Sequence, residues 1–326
     1  MATVHWGILS TAKIIHKIIP GFQRSAFADI VAIASRSETK AHDAAETYGI
    51  PRAYHTYEDL LADPGVDAVY IPLPNHLHLP WSLKALNAGK HVLCEKPLGM
   101  DAAEAETLIA AAKKHPDLKV MEAFMYRFHP QWLMARDWVR EGAIGELRSV
   151  HTFIGYFKDD PENIRNIAAF GGGGLMDIGC YGISIARFIF NSEPTRVFSA
   201  METDPVFDVD RLTAGVLQFE NGLGTFTVGT QQVRFQRVQI LGSNGRIELE
   251  IPVNAPPDEP CRLMLQREGD TEIHTAPISD QYTDQCDAFC RAVLENRAVP
   301  TPLEDALANM VIIDRMKASA RSGAWA

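Results

Sequence analysis

The sequence has few of the features that mark several large protein classes. Its 326 residues include only five cysteines, an odd number with no C-x-x-C pair, which disfavours a disulfide framework or a cysteine-based zinc site. No apolar run approaches 18 residues, and the first residues show no basic stretch followed by an apolar run and a small-residue cleavage site. We therefore expect a cytoplasmic chain with reduced, buried cysteines.

Glycine, proline and positive charge are also modest. With 23 Gly, 19 Pro and 46% hydrophobic residues, the composition is that of an ordinary globular protein, which argues against long disordered or repetitive segments. The 31 Lys and Arg are outnumbered by 41 Asp and Glu, so the formal charge is −10 and the averaged field repels a polyphosphate backbone. Neither nucleic acid nor a membrane is an expected partner.

What the chain does contain is a change of pattern near residue 122. Before it, short apolar runs alternate with helix-like segments, as in βαβ units that build a parallel sheet. Helix caps are indicated at Ser37, Thr56 and Asp101, and a helix end at Gly49. Residues 1–122 are thus predicted to form an α/β domain with a doubly wound parallel sheet. Its predicted strands are residues 5–9, 30–34, 68–71, 91–94 and 119–121.

The second half shows strand-like alternation with few helices. Asn221-Gly222 and Asn244-Gly245 lie between neighbouring runs, and Asn-Gly is a strong hairpin signal. Residues 123–326 are predicted to form an α+β domain with a large, mostly antiparallel open sheet. Helices near residues 174–190, 280–296 and 302–319 are expected to cover that sheet. Because an open sheet can bury its outer face against a second subunit, we expect a homo-oligomer, either a dimer or a tetramer.

The first predicted strand runs into a candidate nucleotide-binding turn. Gly7 takes the place of the first glycine of a dinucleotide-binding turn, while Ser10 and Ala12 replace the second and third. Both replacements are small, so a pyrophosphate could still approach the backbone and the following helix amino terminus. An ordinary strand-to-helix turn is the alternative. The same turn supplies three more candidate cofactor contacts, Thr11, Lys13 and Ile14.

The end of the second predicted strand bears on which cofactor is used. An NAD-specific site usually carries an acid there, whereas this chain has Ser35 and Arg36. A hydroxyl and a guanidinium suit the 2′-phosphate of NADP, although a solvated arginine before a helix cap is the alternative. We expect NADP to bind more tightly than NAD, with NAD use still possible.

The third predicted strand ends in a proline-rich segment. Prolines cannot continue a central strand, so the chain must leave the sheet at its carboxyl edge, where ligands bind in open α/β sheets. A metal pair of His76 and His78 is disfavoured, because no cysteine or aspartate cluster adjoins it. The candidate cofactor contacts of this segment are Pro72, Leu73, Pro74, Asn75 and His78.

The fourth predicted strand is followed by Glu95 and Lys96, and both are candidate cofactor contacts. A lysine at the end of a buried strand is costly to leave unpaired, so it either meets a carboxylate or serves a ligand. The alternative is a surface lysine in a loop. The Lys96-Pro97 bond at this crowded edge is a candidate cis bond.

Residues 88–97, AGKHVLCEKP, resemble the signature of the Gfo/Idh/MocA oxidoreductases, the glucose-fructose oxidoreductase and inositol dehydrogenase family. The resemblance extends to Pro74-Asn75 and His78 and to residues 122–130, 163–165 and 171–181. It implies an N-terminal Rossmann domain that binds NAD(P). It also implies an active site lined by the lysine of the Glu-Lys-Pro motif and by an Asp-x-x-x-His or Asp-x-x-x-Tyr pair. In this chain these are Lys96, Asp177 and Tyr181.

Tyr181 stands where inositol dehydrogenase-like members carry histidine. With the Ser-Thr-Ala turn and Asn163-Ile-Arg165, it makes the chain similar to the dihydrodiol dehydrogenase and D-xylose dehydrogenase branch. Taken singly, Asp177 could be a first-turn helix acid and Tyr181 a packing residue. A lysine ammonium such as that of Lys96, placed about 4 Å from the Tyr181 phenol, would favour the ionised phenolate by on the order of 4 kcal/mol at an effective dielectric of 20. That energy is enough to bring the pKa of the phenol from 10 towards neutrality.

These residues predict an NADP-dependent oxidoreductase that transfers a hydride between the nicotinamide and a CH–OH or C=O carbon of a sugar or related polyol. Tyr181 would accept or donate the hydroxyl proton, Lys96 would stabilise the alkoxide, and Asp177 would orient hydroxyls or keep Lys96 protonated. The substrate pocket is expected between the two domains, and no metal is expected. A non-catalytic NAD(P) sensor and a keto-sugar or inositol reductase are the alternatives. Further candidate substrate contacts are Arg127, Asn163 and Arg165.

Overall fold

A computed structural model describes residues 2–326, which pack as two compact units. The first consists of the chain up to residue 125 together with residues 280–307. The second consists of residues 126–279 and 308–326. The chain therefore does not divide into two consecutive segments, because part of its C-terminal region belongs to the first unit.

The first unit is built on a six-stranded parallel sheet, as predicted. The strand order is β3-β2-β1-β4-β5-β6, so the order reverses between β1 and β4. Sites in doubly wound sheets lie at the carboxyl edge beside such a reversal. The strands are β1 Val4–Leu9, β2 Ala28–Ala34, β3 Arg52–Tyr54, β4 Ala68–Ile71, β5 His91–Cys94 and β6 Val120–Glu122. Only β3, three residues long, has no counterpart among the predicted strands.

The helices of this α/β region begin where the sequence placed their caps. The side chains of Ser37, Thr56 and Asp101 each accept a hydrogen bond from the backbone N–H three residues later. Gly49 ends its helix at φ +67°, a left-handed conformation that favours glycine. The helices are α1 Ile15–Gln23, α2 Glu38–Tyr48, α3 Tyr57–Ala62, α4 His78–Asn87 and α5 Ala102–Ala112.

The second unit contains an eight-stranded, mostly antiparallel sheet. Its order is β14-β13-β12-β11-β7-β10-β9-β8, and only the central β7 and β10 pair in parallel. Both predicted hairpins are confirmed, as the connections from β9 to β10 and from β11 to β12. The strands are β7 Leu147–Phe157, β8 Arg196–Thr203, β9 Asp210–Phe219, β10 Gly222–Gly229, β11 Gln231–Gly242, β12 Gly245–Leu249, β13 Arg262–Arg267 and β14 Asp270–Thr275.

Two helical segments begin irregularly. Residues 125–128 form a short 3₁₀ turn, and a separate helix begins at Pro130, which has no N–H to continue an earlier one. The predicted helix at 174–190 opens with a π-helical turn, Leu175–Gly179, before its α-helical part. The segment of residues 168–190 is long and apolar enough to cross a membrane, but 83% of its apolar 18-residue window is buried in the protein interior. The remaining helices are α6 Pro130–Arg140, α7 Cys180–Phe190, α8 Gln281–Leu294 and α9 Leu303–Ser322.

Helix α8 is not where the sequence placed it. We expected it to cover the second sheet, but it packs in the first unit against β1 and α1. The Trp6 indole N–H donates to the Cys290 thiol at 3.4 Å, and the Trp6 and Phe289 rings lie 5.3 Å apart. Helical periodicity predicts an apolar stripe but not which sheet the stripe covers. All five cysteines are buried and in the reduced thiol form.

Candidate active site and cofactor pocket

The turn after β1 differs in detail from the one predicted. Gly7 lies inside β1, where an added Cβ would come within 2.5 Å of the Leu60 side chain. The missing side chain of Gly7 therefore makes room for the Leu60 side chain of α3. The unusual backbone conformation of the turn is at Ser10, whose φ of +147° is one that residues with side chains rarely adopt.

Beside this turn lies a pocket of about 370 Å³. Its floor is ordered by hydroxyls, since the Thr11 and Ser35 oxygens lie 3.2 Å apart and the Ser37 N–H donates to Ser35 Oγ at 3.3 Å. Its exposed rim carries two cations, Arg36 and Lys40. Hydroxyls and cations that converge at a helix amino terminus fit an anionic phosphate. The lining residues are Ser10, Thr11, Ala12, Ser35, Arg36, Ser37, Lys40 and Tyr57.

The sequence interpretation missed Ser37, Lys40 and Tyr57 as pocket residues. The signal for Lys40 was available, because it lies four residues after Arg36, one turn along the start of α2. Lys13 and Ile14 lie outside the lining, although both were expected at the cofactor.

His78 is the clearest correction among the predicted cofactor contacts. It is fully buried at the start of α4, and its two ring nitrogens each lie 2.7 Å from a backbone carbonyl, those of Leu73 and Pro97. Burial lowers the pKa of His78 to about 4, with the carbonyls acting in the opposite direction. A neutral imidazole has one N–H and donates it to one of these two carbonyls. Because the ring is enclosed between the loops after β4 and β5, we no longer expect it to touch the cofactor. Pro72, Pro74 and Asn75 lie in the same loop after β4.

Lys96 follows β5 on a tightly specified backbone. The Lys96-Pro97 bond is cis, as considered from the sequence. The Tyr70 hydroxyl donates to one oxygen of the Glu95 carboxylate, and the Lys96 N–H donates to the other at 3.3 Å. Burial, and to a smaller extent the Glu95 charge, raises the pKa of Tyr282 in α8, so that phenol stays protonated. Glu95 thus organises the backbone that carries Lys96.

In the second unit the structure groups Asp177 with Tyr156 and Arg165. The Tyr156 hydroxyl donates to Asp177 Oδ2 at 2.6 Å, and Arg165 Nε donates to the same oxygen at 2.8 Å. The Asp177 charge raises the pKa of Arg165, while burial and the same carboxylate raise the pKa of Tyr156. Both partners therefore keep their protons at neutral pH and donate them in hydrogen bonds to Asp177.

Tyr156 was not predicted as a site residue. The alternation of β7 could have indicated it. The even-numbered residues from Val150 to Ile154 point inward, and Tyr156 continues that row. Asn163, a predicted substrate contact, accepts the Arg165 N–H at 3.1 Å and so caps the short turn that presents Arg165.

Tyr181 lies just beyond the π-helical turn, at the start of α7. Its side chain is buried, its ring meets the Tyr126 ring edge-on at 5.9 Å, and its phenol interacts electrostatically with Arg165. Arg127, predicted to contact substrate or cofactor, donates to the Ser184 hydroxyl of α7 at 2.7 Å. Asp177 and Arg165 thus form a polar pair, and Tyr181, four residues after Asp177, interacts with the same Arg165.

Comparison with known protein families matches both halves of this architecture. Residues 4–124 match the model of the oxidoreductase family with an NAD-binding Rossmann fold, and residues 132–248 match the GFO/IDH/MocA C-terminal domain. The chain belongs to the Gfo/Idh/MocA oxidoreductase family. The resemblance drawn from the Glu-Lys-Pro and Asp-x-x-x-Tyr motifs is confirmed.

Characterised relatives of this family member act on several substrates. D-xylose 1-dehydrogenase (NADP(+)) 2 of Haloferax volcanii is 37% identical, with 98% of each chain covered. Trans-1,2-dihydrobenzene-1,2-diol dehydrogenase of Xenopus tropicalis is 32% identical over 78% of each chain. Among solved structures, a 3-ketoreductase from Actinomadura kijaniata in complex with NADP and TDP-benzene has a TM-score of 0.92 and 31% identity, covering 97% of this chain and 98% of its own. Variants of that ketoreductase with a tyrosine changed to phenylalanine, or a lysine to alanine or glutamate, also match.

Proposed function

We propose that the protein is an NADP-dependent oxidoreductase that interconverts a CH–OH and a C=O carbon of a sugar or related polyol. The pocket beside β1 and β2 supports NADP, because Arg36 and Lys40 offer two cations and Ser35 and Ser37 offer hydroxyls to a 2′-phosphate. The NADP-dependent xylose dehydrogenase and the ketoreductase crystallised with NADP support the same choice.

The observation that most supports catalysis is the cluster around Tyr181. A buried phenol at a helix start, which interacts with a guanidinium, is suited to move a proton to or from a substrate hydroxyl. In this proposal Tyr181 accepts the hydroxyl proton during oxidation, and Asp177, held by Tyr156 and Arg165, orients neighbouring hydroxyls. Lys96 stabilises the alkoxide that develops on the reacting oxygen. Bound NADP supplies the hydride acceptor.

Turnover of two variants tests this assignment. Tyr181→Phe and Lys96→Met should each lower kcat by about a hundredfold or more, since general acid–base catalysis contributes about 10² to 10⁴ in rate. The assay measures NADP reduction with aldoses, inositols and diols, and NADPH oxidation with keto-sugars. The dissociation constant of NADP is measured in parallel, with Tyr48→Phe as a control tyrosine in the first unit. Unchanged turnover in both variants would remove the mechanism.

Reduction of a keto-sugar is the second candidate reaction. The fold similarity to a 3-ketoreductase supports it, and the same residues serve with Tyr181 as proton donor. The two directions separate in the assay, because a reductase oxidises NADPH with keto-sugars much faster than it reduces NADP with aldoses. A non-catalytic sensor would show cofactor binding with no turnover in either direction.

A further inference from the structure

The helix that carries Asp177 and Tyr181 begins in an unusual loop of four glycines, residues 171–174. The Gly173 N–H donates to the Arg165 carbonyl at 2.8 Å, and the Gly172 N–H donates to the Ile167 carbonyl at 3.1 Å. A Cβ at Gly172 would lie 2.4 Å from that Arg165 carbonyl oxygen. The loop therefore fixes the backbone of Arg165 as well as the start of the helix.

Asp210, the first residue of β9, faces the same loop. Its Oδ2 accepts the Leu175 N–H at 2.7 Å, and the Thr213 hydroxyl donates to the same oxygen. A Cβ at Gly173 would lie 2.1 Å from Asp210 Oδ1, and Gly173 itself has a φ of +107°. The carboxylate occupies the space that the glycines leave open.

The contacts form a continuous connection from the sheet to the reacting residues. Leu175 opens the π-helical turn, and the N–H groups of a first helical turn have no acceptor within the helix. Asp210 supplies that acceptor for Leu175, and two residues later the Asp177 N–H donates to the Gly173 carbonyl at 3.0 Å. A carboxylate at the amino terminus of a helix also interacts favourably with the helix dipole.

We propose that Asp210 is a positioning residue, which sets the register of the helix start so that Asp177 and Tyr181 are held in their working orientation. This inference rests on the proposed function, because it assigns the reaction to that pair. Asp210 acts through the Leu175 N–H and the glycine loop and does not touch the reacting atoms.

Substitution of Asp210 tests the proposal in the full-length protein. Asp210→Ala removes the acceptor, so kcat should fall by about tenfold or more while the NADP dissociation constant stays unchanged. Asp210→Asn retains a carbonyl oxygen in the same place and should restore kcat to within about threefold of the native enzyme. Ile247→Val, a core substitution in β12 of the same unit, controls for a general loss of stability.

Hydrogen exchange at the Leu175 amide provides a readout independent of turnover. It should quicken in Asp210→Ala and return towards the native rate in Asp210→Asn. The proposal is overturned if Asp210→Ala lowers kcat no more than Ile247→Val does, or if the Leu175 amide exchanges at the native rate. If the native protein turns over no substrate, the proposed function fails, and the exchange rates alone decide whether Asp210 holds the helix start.

Discussion

At the scale of single residues, a residue that matches a motif does not always play the role that the motif suggests. His78 lies in a motif that suggests a ligand contact, yet both of its ring nitrogens face backbone carbonyls in a fully buried position. Gly7 occupies the first position of a nucleotide-binding turn, yet its missing side chain makes room for Leu60. A motif predicts which residues matter; three-dimensional packing decides how each is used.

Buried His78 should make stability depend on pH. Its pKa falls from 6.5 to about 4 on folding, so its contribution is complete above pH 6.5 and is lost as pH falls from 6.5 towards 4. Between pH 7 and pH 5 this loss amounts to about 2 kcal/mol in the free energy of unfolding. Urea unfolding at the two pH values checks it, with His78→Gln expected to lack this share. Equal pH dependence in native and variant proteins would contradict the prediction.

Ser10 should be a site where glycine stabilises the fold. Its φ of +147° carries a strain of about 1 to 3 kcal/mol, of which glycine relieves most while losing about 0.4 to 1 kcal/mol through its freer unfolded chain. Ser10→Gly is thus expected to raise the free energy of unfolding by about 1 kcal/mol. Thr11→Gly is the matched control and should lower it. Thermal unfolding of both variants measures the difference, and a lower melting temperature for Ser10→Gly would refute the strain argument.

At the scale of elements, most strands and helices were predictable because local signals are strong. Ser37, Thr56 and Asp101 cap helices as their side chains indicated, and the Asn-Gly pairs turn the chain between neighbouring strands. The π-helical turn was not predictable, because an apolar stripe is compatible with either helix type over five residues. No strand was predicted after residue 251, so β13 and β14 were both missed. The side chains of β14 are mostly exposed and polar and lack an apolar alternation.

The contact between α1 and α8 can be tested through Gly21. An added Cβ would lie 2.8 Å from the Tyr282 Cβ, so Gly21→Ala forces the two helices apart. Alanine favours a helix by about 1 kcal/mol, but overpacking costs about 1 to 3 kcal/mol, so we expect a net loss of stability of up to about 2 kcal/mol. Denaturant unfolding checks this, with Glu46→Ala in exposed α2 as the control. A more stable Gly21→Ala protein would show that the helices have room to adjust.

At the scale of the whole molecule, net charge and local charge act in opposite directions. The chain carries −10 overall, whereas the pocket beside β2 concentrates Arg36 and Lys40. Short-range pairing at such a site outweighs the diffuse repulsion, which salt screens beyond about 8 Å at physiological ionic strength. The exposed aromatic residues Phe153, Phe157 and Phe235 mark the outer face of the second sheet, and a homo-oligomer through that face remains a prediction.

Cofactor preference should follow the two cations. Arg36→Ala and Lys40→Ala should each weaken NADP binding by about tenfold, because a charged hydrogen bond contributes about 1.5 to 3 kcal/mol. NAD lacks the 2′-phosphate, so its dissociation constant should change little. Lys13→Ala is the control, since Lys13 lies outside the pocket. Calorimetric titration of both nucleotides measures these effects, and equal losses for NADP and NAD would contradict the assigned phosphate contact.

The position of helix α8 in the chain also determines when the first unit can be completed during translation. The chain passes between the two units three times, and the first unit receives residues 280–307 only after the whole second sheet has been synthesised. Until then Trp6 lacks its Phe289 and Cys290 neighbours, and the nascent first unit leaves that apolar side of its sheet uncovered on the ribosome. The nucleotide-binding half of the protein is thus translated first but completed almost last.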